Sequence, residues 1–257
     1  MSDIATEKAI NSASVDPIPT IPNPETTSIT LLKGFPDRGL DAEVRELNGE
    51  DEEYLAGIEA KPNVSYGDWL TAVLRRSVVS IGGESPPGDL GQLISADRDI
   101  LMLATVRATY GPTKEITVRC NTCGQSNDVV LDLEDDFPIK RPDFDIFSPI
   151  AVRTRKGTLH FNLPTGADLA SVANEKLEAH ANTIIISRCA VFPEGFEPAD
   201  RLDWARKLNT DARRKATNAL LAVELGPRLE VVDTHCANEE CATQLLIGLN
   251  WVSLLFG

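Results

Sequence analysis

Four of the five cysteines fall into two close pairs, Cys120 with Cys123 and Cys236 with Cys241. The spacings are C-x2-C and C-x4-C, and residues 124 to 235 lie between the pairs. Soft thiolates at such spacing are ligands for a tetrahedral metal, above all zinc. A C-x2-C turn brings two sulfurs to one ion, while the intervening backbone N–H groups can point at them. Gly124, directly after Cys123, supplies the permissive backbone such a knuckle uses. The second pair departs from this pattern. No glycine follows Cys241, Asn238 is the candidate left-handed residue, and His235 adjoins Cys236 as an alternative ligand. The expected set is Cys120, Cys123, Cys236 and Cys241 around one structural Zn2+. Four protein ligands leave no open position for catalysis. A redox pair belongs at a helix N-terminus instead.

Each pair needs two strands to hold it. Glu115–Arg119 alternates and leads into the first pair, and Asn127–Leu133 returns from it. Leu229–Val232 leads into the second, with a returning strand from near Thr243. A single site must close a long loop. For about 100 residues this costs on the order of 4 kcal/mol plus a constant, against roughly 10–16 kcal/mol for structural zinc. The insertion is therefore tolerable.

The rest of the chain divides around these hairpins. Residues 1–28, with Pro17, Pro19, Pro22 and Pro24, show no hydrophobic period and read as a flexible arm. Such an arm is either a disordered tail or a segment that orders on a partner. Residues 29–133 form a helical part plus the first knuckle hairpin. A turn falls at Phe35–Leu40 and a short strand at Glu43–Leu47. An acidic helix opens at Asn48 or Gly49, followed by an amphipathic helix over 66–80. After a Gly82-Gly83 stop and a Pro86-Pro87-Gly88 loop, Ser95 caps a helix over 96–109. Residues 134–228 form an insertion. A hairpin turns at Lys156-Gly157, a Thr165-capped helix covers about 167–178, and a mixed stretch Asn182–Val191 carries Cys189. Two helices follow, near 198–208 and 211–223. Cys189 lies among apolar residues and reads as core. Residues 229–257 hold the second knuckle hairpin and an apolar end. The fold class is α+β, with zinc-ribbon-like antiparallel hairpins joined by a helical and hairpin insertion.

Composition narrows the function. With 25 basic and 39 acidic side chains, the formal charge of −14 repels a phosphate backbone and an anionic membrane surface. Nucleic acid and membrane are not expected partners. Met1–Ser14 lack an apolar signal segment, so synthesis in a reducing cytoplasm is expected, where paired cysteines bind metal. The apolar run Leu245–Phe256 is too short to span a bilayer. His160, His180 and His235 have no nucleophile or carboxylate at motif spacing, and phosphate-loop, nucleophile-elbow and zinc-protease motifs are absent. Neither an enzyme nor a small-molecule substrate is expected. Trp251, Leu254, Leu255 and Phe256 are candidate anchors for a protein partner, or else a buried final strand.

Several separated stretches resemble one family. They are Pro36-Asp37-Arg38-Gly39-Leu40, the helix with Asp97-Arg98 and Arg107, Tyr110-Gly111, the knuckle Cys120-Asn121-Thr122-Cys123-Gly124, and Leu163-Pro164-Thr165-Gly166. In order and spacing they resemble the baseplate hub family of T-even-type contractile phage tails, across about residues 35 to 170. The resemblance implies a hub component with other baseplate or hub proteins as partners, made in the host cytoplasm and placed in the virion tail or in a related injection system. A transient hub-assembly chaperone is the alternative. A zinc-ribbon enzyme or regulator acting alone is a third, from another class.

Overall fold

The computed structural model describes residues 23–86, 88–229 and 232–256. Of the expected N-terminal arm, residues 1–22 lie outside the described residues, as do Pro87 and residues 230 and 231 of the strand before the second knuckle. The arm's expected end at 28 falls inside β1 (Thr26–Thr30), which pairs antiparallel with β2 (Asp41–Arg45). β3 (Val78–Ile81) adds to the other side of β2, giving the order β1-β2-β3. Ala42 and Val44 alternate into the core, as a half-buried strand requires.

Two helices connect β2 to β3. α1 (Gly49–Glu59) starts at a capping box, with the Asn48 side chain accepting from Asp51 N–H and the Asp51 side chain from Asn48 N–H. α2 (Tyr66–Ser77) repeats the device with Ser65 and Asp68. The helix expected over 66–80 stops at Ser77, because Val78–Ile81, mostly β-branched, finds a strand partner in β2.

A 3-10 turn at Leu90–Gln92 leads into α3 (Ser95–Tyr110), the centre of the molecule. Ser95 is the first helical residue and not the cap. Ile94 occupies that position without a side-chain bond, and Ser95 N–H donates to Pro164 O across the chain. Ala96 through Val106 are all buried except Asp99, which is partly so. Burial thus runs around the whole helix and not along one face. The β1–β3 sheet, α2, the short strand Gly226–Pro227 and the C-terminal helix pack around α3.

Beyond α3, β4 (Thr113–Arg119) and β5 (Ser126–Asp132) form the first cysteine hairpin. β6 (Ile139–Lys140) pairs with β9 (Gly226–Pro227), and β7 (Ile150–Thr154) with β8 (Gly157–Phe161). α4 covers only Gly166–Ala170, although Thr165 caps it as expected. The residues after it form successive i→i+3 turns (Val172 N–H to Leu169 O, Glu175 N–H to Val172 O), so the helix expected to reach 178 tightens and ends. α5 (Glu178–Cys189), α6 (Pro198–Lys207) and α7 (Thr210–Leu221) complete the middle of the chain. Val152, Phe161, Ile186, Cys189, Ala205, Ala216 and Leu220 make a second, smaller core there. β10 (Val232–His235) and β11 (Gln244–Ile247) form the second cysteine hairpin, and α8 (Trp251–Phe256) closes the chain. The fold is α+β, built from helices and small antiparallel sheets.

Candidate metal centre

The two cysteine hairpins meet tip to tip. One ligand atom from each of Cys120, Cys123, Cys236 and Cys241 lies within 4.8 Å of all the others. Two separations cross between the hairpins: 3.8 Å from Cys120 Sγ to Cys241 Sγ and 3.6 Å from Cys123 Sγ to Cys236 Sγ. A tetrahedron with metal–sulfur bonds of about 2.3 Å has edges of about 3.8 Å. A disulfide requires about 2.05 Å, and all five cysteines are free. The donor set and its spacing therefore fit a tetrahedral thiolate metal site.

Local backbone explains the arrangement. Cys120 N–H donates to Gln125 O and Gly124 N–H to Cys120 O, with Gly124 in the left-handed region at φ 77°. The second knuckle turns differently from the expectation. Asn238 is not left-handed; its carbonyl accepts from Cys241 N–H and Ala242 N–H, and Ala242 takes the positive φ, 41°. His235 is exposed in β10, opposite Gln244, and stays out of the cluster.

Hydrogen bonds prepare the sulfurs for ionisation. The N–H groups of Cys123 and Thr122 pull the Cys120 thiol down to about 6. The Thr243 hydroxyl, 3.1 Å from Cys241 Sγ, and the Thr243 N–H pull Cys241 down. Cys123 goes the other way. The Gln125 N–H favours its thiolate, but burial and the three neighbouring sulfurs push it up to about 11. Four thiols this close cannot all ionise without a counter-charge, which a divalent cation would supply.

Asn127 joins the two hairpins, a role that its place in an alternating strand did not signal. Its Oδ1 accepts from Ala237 N–H at 2.7 Å, and its Nδ2 donates to Val118 O and Gln125 O. Cys189 is remote from the cluster, buried in the second core, where burial pushes its thiol up to about 12.

The C-terminal anchors lie elsewhere. Trp251, Leu254 and Leu255 are buried in the main core and form a short helix, neither a final strand nor a free surface. Trp251 Nε1 donates to Asp99 Oδ1 at 2.8 Å, Trp251 N–H to Tyr66 Oη at 3.3 Å, and Tyr110 Oη to Leu255 O. Phe256 alone of the four is exposed, its ring edge-on to Trp69.

Of the stretches singled out in sequence, the loop before the 36–40 turn and Leu163–Gly166 meet at the start of α3, while Arg107 and Tyr110-Gly111 stand at its other end and the Cys120–Gly124 knuckle at the hairpin tip. The Asp97 carboxylate accepts from the N–H groups of Leu32 (2.6 Å), Lys33 (3.1 Å) and Gly34 (2.7 Å), fixing the loop that enters the 36–40 turn. Gly39 abuts Gly82 so closely that a Cβ on Gly82 would lie 2.5 Å from Gly39 N. Arg98 lies against Gly166, where a Cβ would fall 1.8 Å from its Nη1. Arg38 donates to Ser85 O, and Arg107 pairs with Glu134 at 3.6 Å. Asp97 and Arg98 are therefore buried structural residues of one packed unit.

Fold and site together define a small α+β protein whose remote hairpins meet at four thiols. Its family follows from comparison: residues 29–223 match the model of the T4 bacteriophage base plate protein family, and the chain belongs to that family. The match includes Cys120 and Cys123 and ends before Cys236. No curated protein and no solved structure matches the chain. Among the described residues no helix is long and apolar enough to cross a membrane.

Proposed function

We propose that the protein is a structural component of the baseplate hub of a contractile tail, closed by one structural zinc ion and acting through contacts with other baseplate proteins without catalysis. The observation that carries the baseplate setting is the family match across residues 29–223. The hub assignment rests on the ordered resemblance from Pro36 to Gly166, of which the loop before the 36–40 turn and Gly166 pack against Asp97 and Arg98 of α3. The zinc assignment rests on the four sulfurs within 4.8 Å. Cys120, Cys123, Cys236 and Cys241 would hold the ion, which would supply the positive charge that stabilises four thiolates. Such a site fills all four tetrahedral positions and would serve the fold.

Mass spectrometry of purified particles tests the role. The chain is expected at fixed stoichiometry with the hub proteins. Its absence from intact particles, together with failed hub assembly when its gene is deleted, would mean an assembly chaperone instead. Zinc content tests the centre. One zinc per wild-type chain and none in a Cys120→Ser, Cys236→Ser variant is expected, and zinc that persists in the variant refutes the shared site.

A further inference from the structure

The four thiols of the metal centre differ in their access to water. Cys120 and Cys236 are buried, at 2% and 5% exposure, and Cys241 is partly covered. Cys123, in the turn between β4 and β5, is exposed. A solute that reaches the cluster from water therefore meets Cys123 first. Thiolates, not thiols, react with oxidants, and metal ligation keeps all four sulfurs in the thiolate form. Among four thiolates, access decides which one reacts.

Contacts decide where the reacted sulfur goes. Cys123 Sγ lies 3.6 Å from Cys236 Sγ, and the other contact between the hairpins, Cys120 Sγ to Cys241 Sγ, is 3.8 Å. A disulfide needs about 2.05 Å, so the first pair must close by about 1.6 Å. The two turns are already tied to each other, since Asn127 Oδ1 accepts from Ala237 N–H, directly after Cys236, at 2.7 Å. Cys189 stands apart, buried in the second core.

We propose that Cys123 is an oxidation site, and that its oxidation exchanges the metal closure of the two hairpins for a Cys123–Cys236 disulfide. The inference rests on the metal reading above and takes a peroxide as the oxidant. The Cys123 thiolate attacks one peroxide oxygen, the O–O bond breaks, and hydroxide leaves as Cys123 becomes a sulfenic acid. The Cys236 thiolate then attacks that sulfur, the S–O bond breaks, and a second hydroxide leaves. Two thiolates have lost one electron each, and one peroxide has gained both. Cys120 and Cys241 remain as half of a tetrahedral donor set, too few to hold zinc against a chelator. A particle built in a reducing cytoplasm and released from the cell enters oxidising surroundings, where a disulfide persists.

The test uses the full chain, its zinc content measured first. Hydrogen peroxide is added at neutral pH with a chromogenic chelator present, and zinc release is read against the untreated chain. Dimedone traps sulfenic acid in a parallel sample, and peptide mass spectrometry maps the cysteines in both. Dimedone is expected on Cys123 before any other cysteine. Without dimedone, one Cys123–Cys236 disulfide is expected, with one zinc released per disulfide and Cys189 still free. First trapping at another cysteine, any other disulfide, or zinc retained with every thiol unreacted would each overturn the oxidation site. A chain without zinc before the oxidant is added would overturn the metal reading instead, and the mapped pairing would then decide the disulfide by itself.

Discussion

Asp97 and Asp99 stand two residues apart on α3, and their surroundings set them to different tasks. Asp97 collects three backbone N–H groups from the 32–34 loop, bonds that stabilise a carboxylate in a buried place. Asp99 receives only the Trp251 indole N–H, and burial outweighs that bond and the nearby Arg98 charge, pushing its carboxyl up to about 6. A folded-state value above the ordinary 3.8 means that the folded chain binds a proton more tightly than the unfolded one. The stability this contributes is fully present below about 3.8 and is lost as the pH rises through about 6. Asp99→Asn removes the titration and keeps an oxygen for the indole. The stability difference between variant and wild type, from urea unfolding at a series of pH values, is expected to move in the variant's favour by up to roughly 3 kcal/mol from pH 4 to 7.5. A difference that stays constant over that range would show that Asp99 does not titrate in it.

Elements reveal where the sequence was legible and where it was not. Cysteine spacing, the alternating strands of the first knuckle, the helix opening at Asn48 or Gly49 and the Thr165 cap are local signals, and β4, β5 and the starts of α1 and α4 stand where those signals put them, whereas the strand expected over Leu229–Val232 runs instead over Val232–His235. What went unread is long-range. Val78–Ile81 continues a helical pattern, yet β2 recruits it as a strand. The all-round burial of α3 depends on elements far away in the chain, so its own period, which suggests one apolar face, understates it. Leu245–Phe256 reads as one apolar run interrupted by Gly248, Asn250 and Ser253, and it splits into β11 and α8 because α2 and α3 provide a surface for a short helix. Asn127 belongs to the same class, since its partner Ala237 lies on the other hairpin. It also yields a prediction. Asn127→Ala leaves every thiol in place but removes the bond that aligns the two knuckles. Metal affinity, measured by competition with a chromogenic chelator, is expected to fall about 10- to 100-fold, the usual effect of losing a residue that orients ligands. Unchanged affinity would mean that the knuckles align through the sulfurs alone.

At the scale of the whole molecule, stability is divided unevenly. The main core gathers α2, α3, the β1–β3 sheet and α8 without any cysteine. Among the described residues the cluster at the hairpin tips holds Cys120, Cys236 and Leu245, with Cys241 packed against it. Isolated two-stranded hairpins are marginal in water, and among the described side chains of β10 and β11 the buried apolar ones are Leu245 and Ile247, each worth about 1.5–3 kcal/mol. Among the described residues the β10–β11 hairpin is thus thinly supported by apolar burial, whereas α8, immediately after it, is built into the main core. If a metal ion supplies the missing energy, its removal should open the hairpin locally and leave the core closed. Hydrogen exchange before and after chelation reads this directly. Amides of β10 and β11 are expected to lose protection, while those of α3 and of Leu254 and Leu255 in α8 retain theirs. Uniform loss across the chain would mean that the thiol site underwrites the entire fold, and protection unchanged in β10 and β11 would mean that the hairpin holds itself without metal.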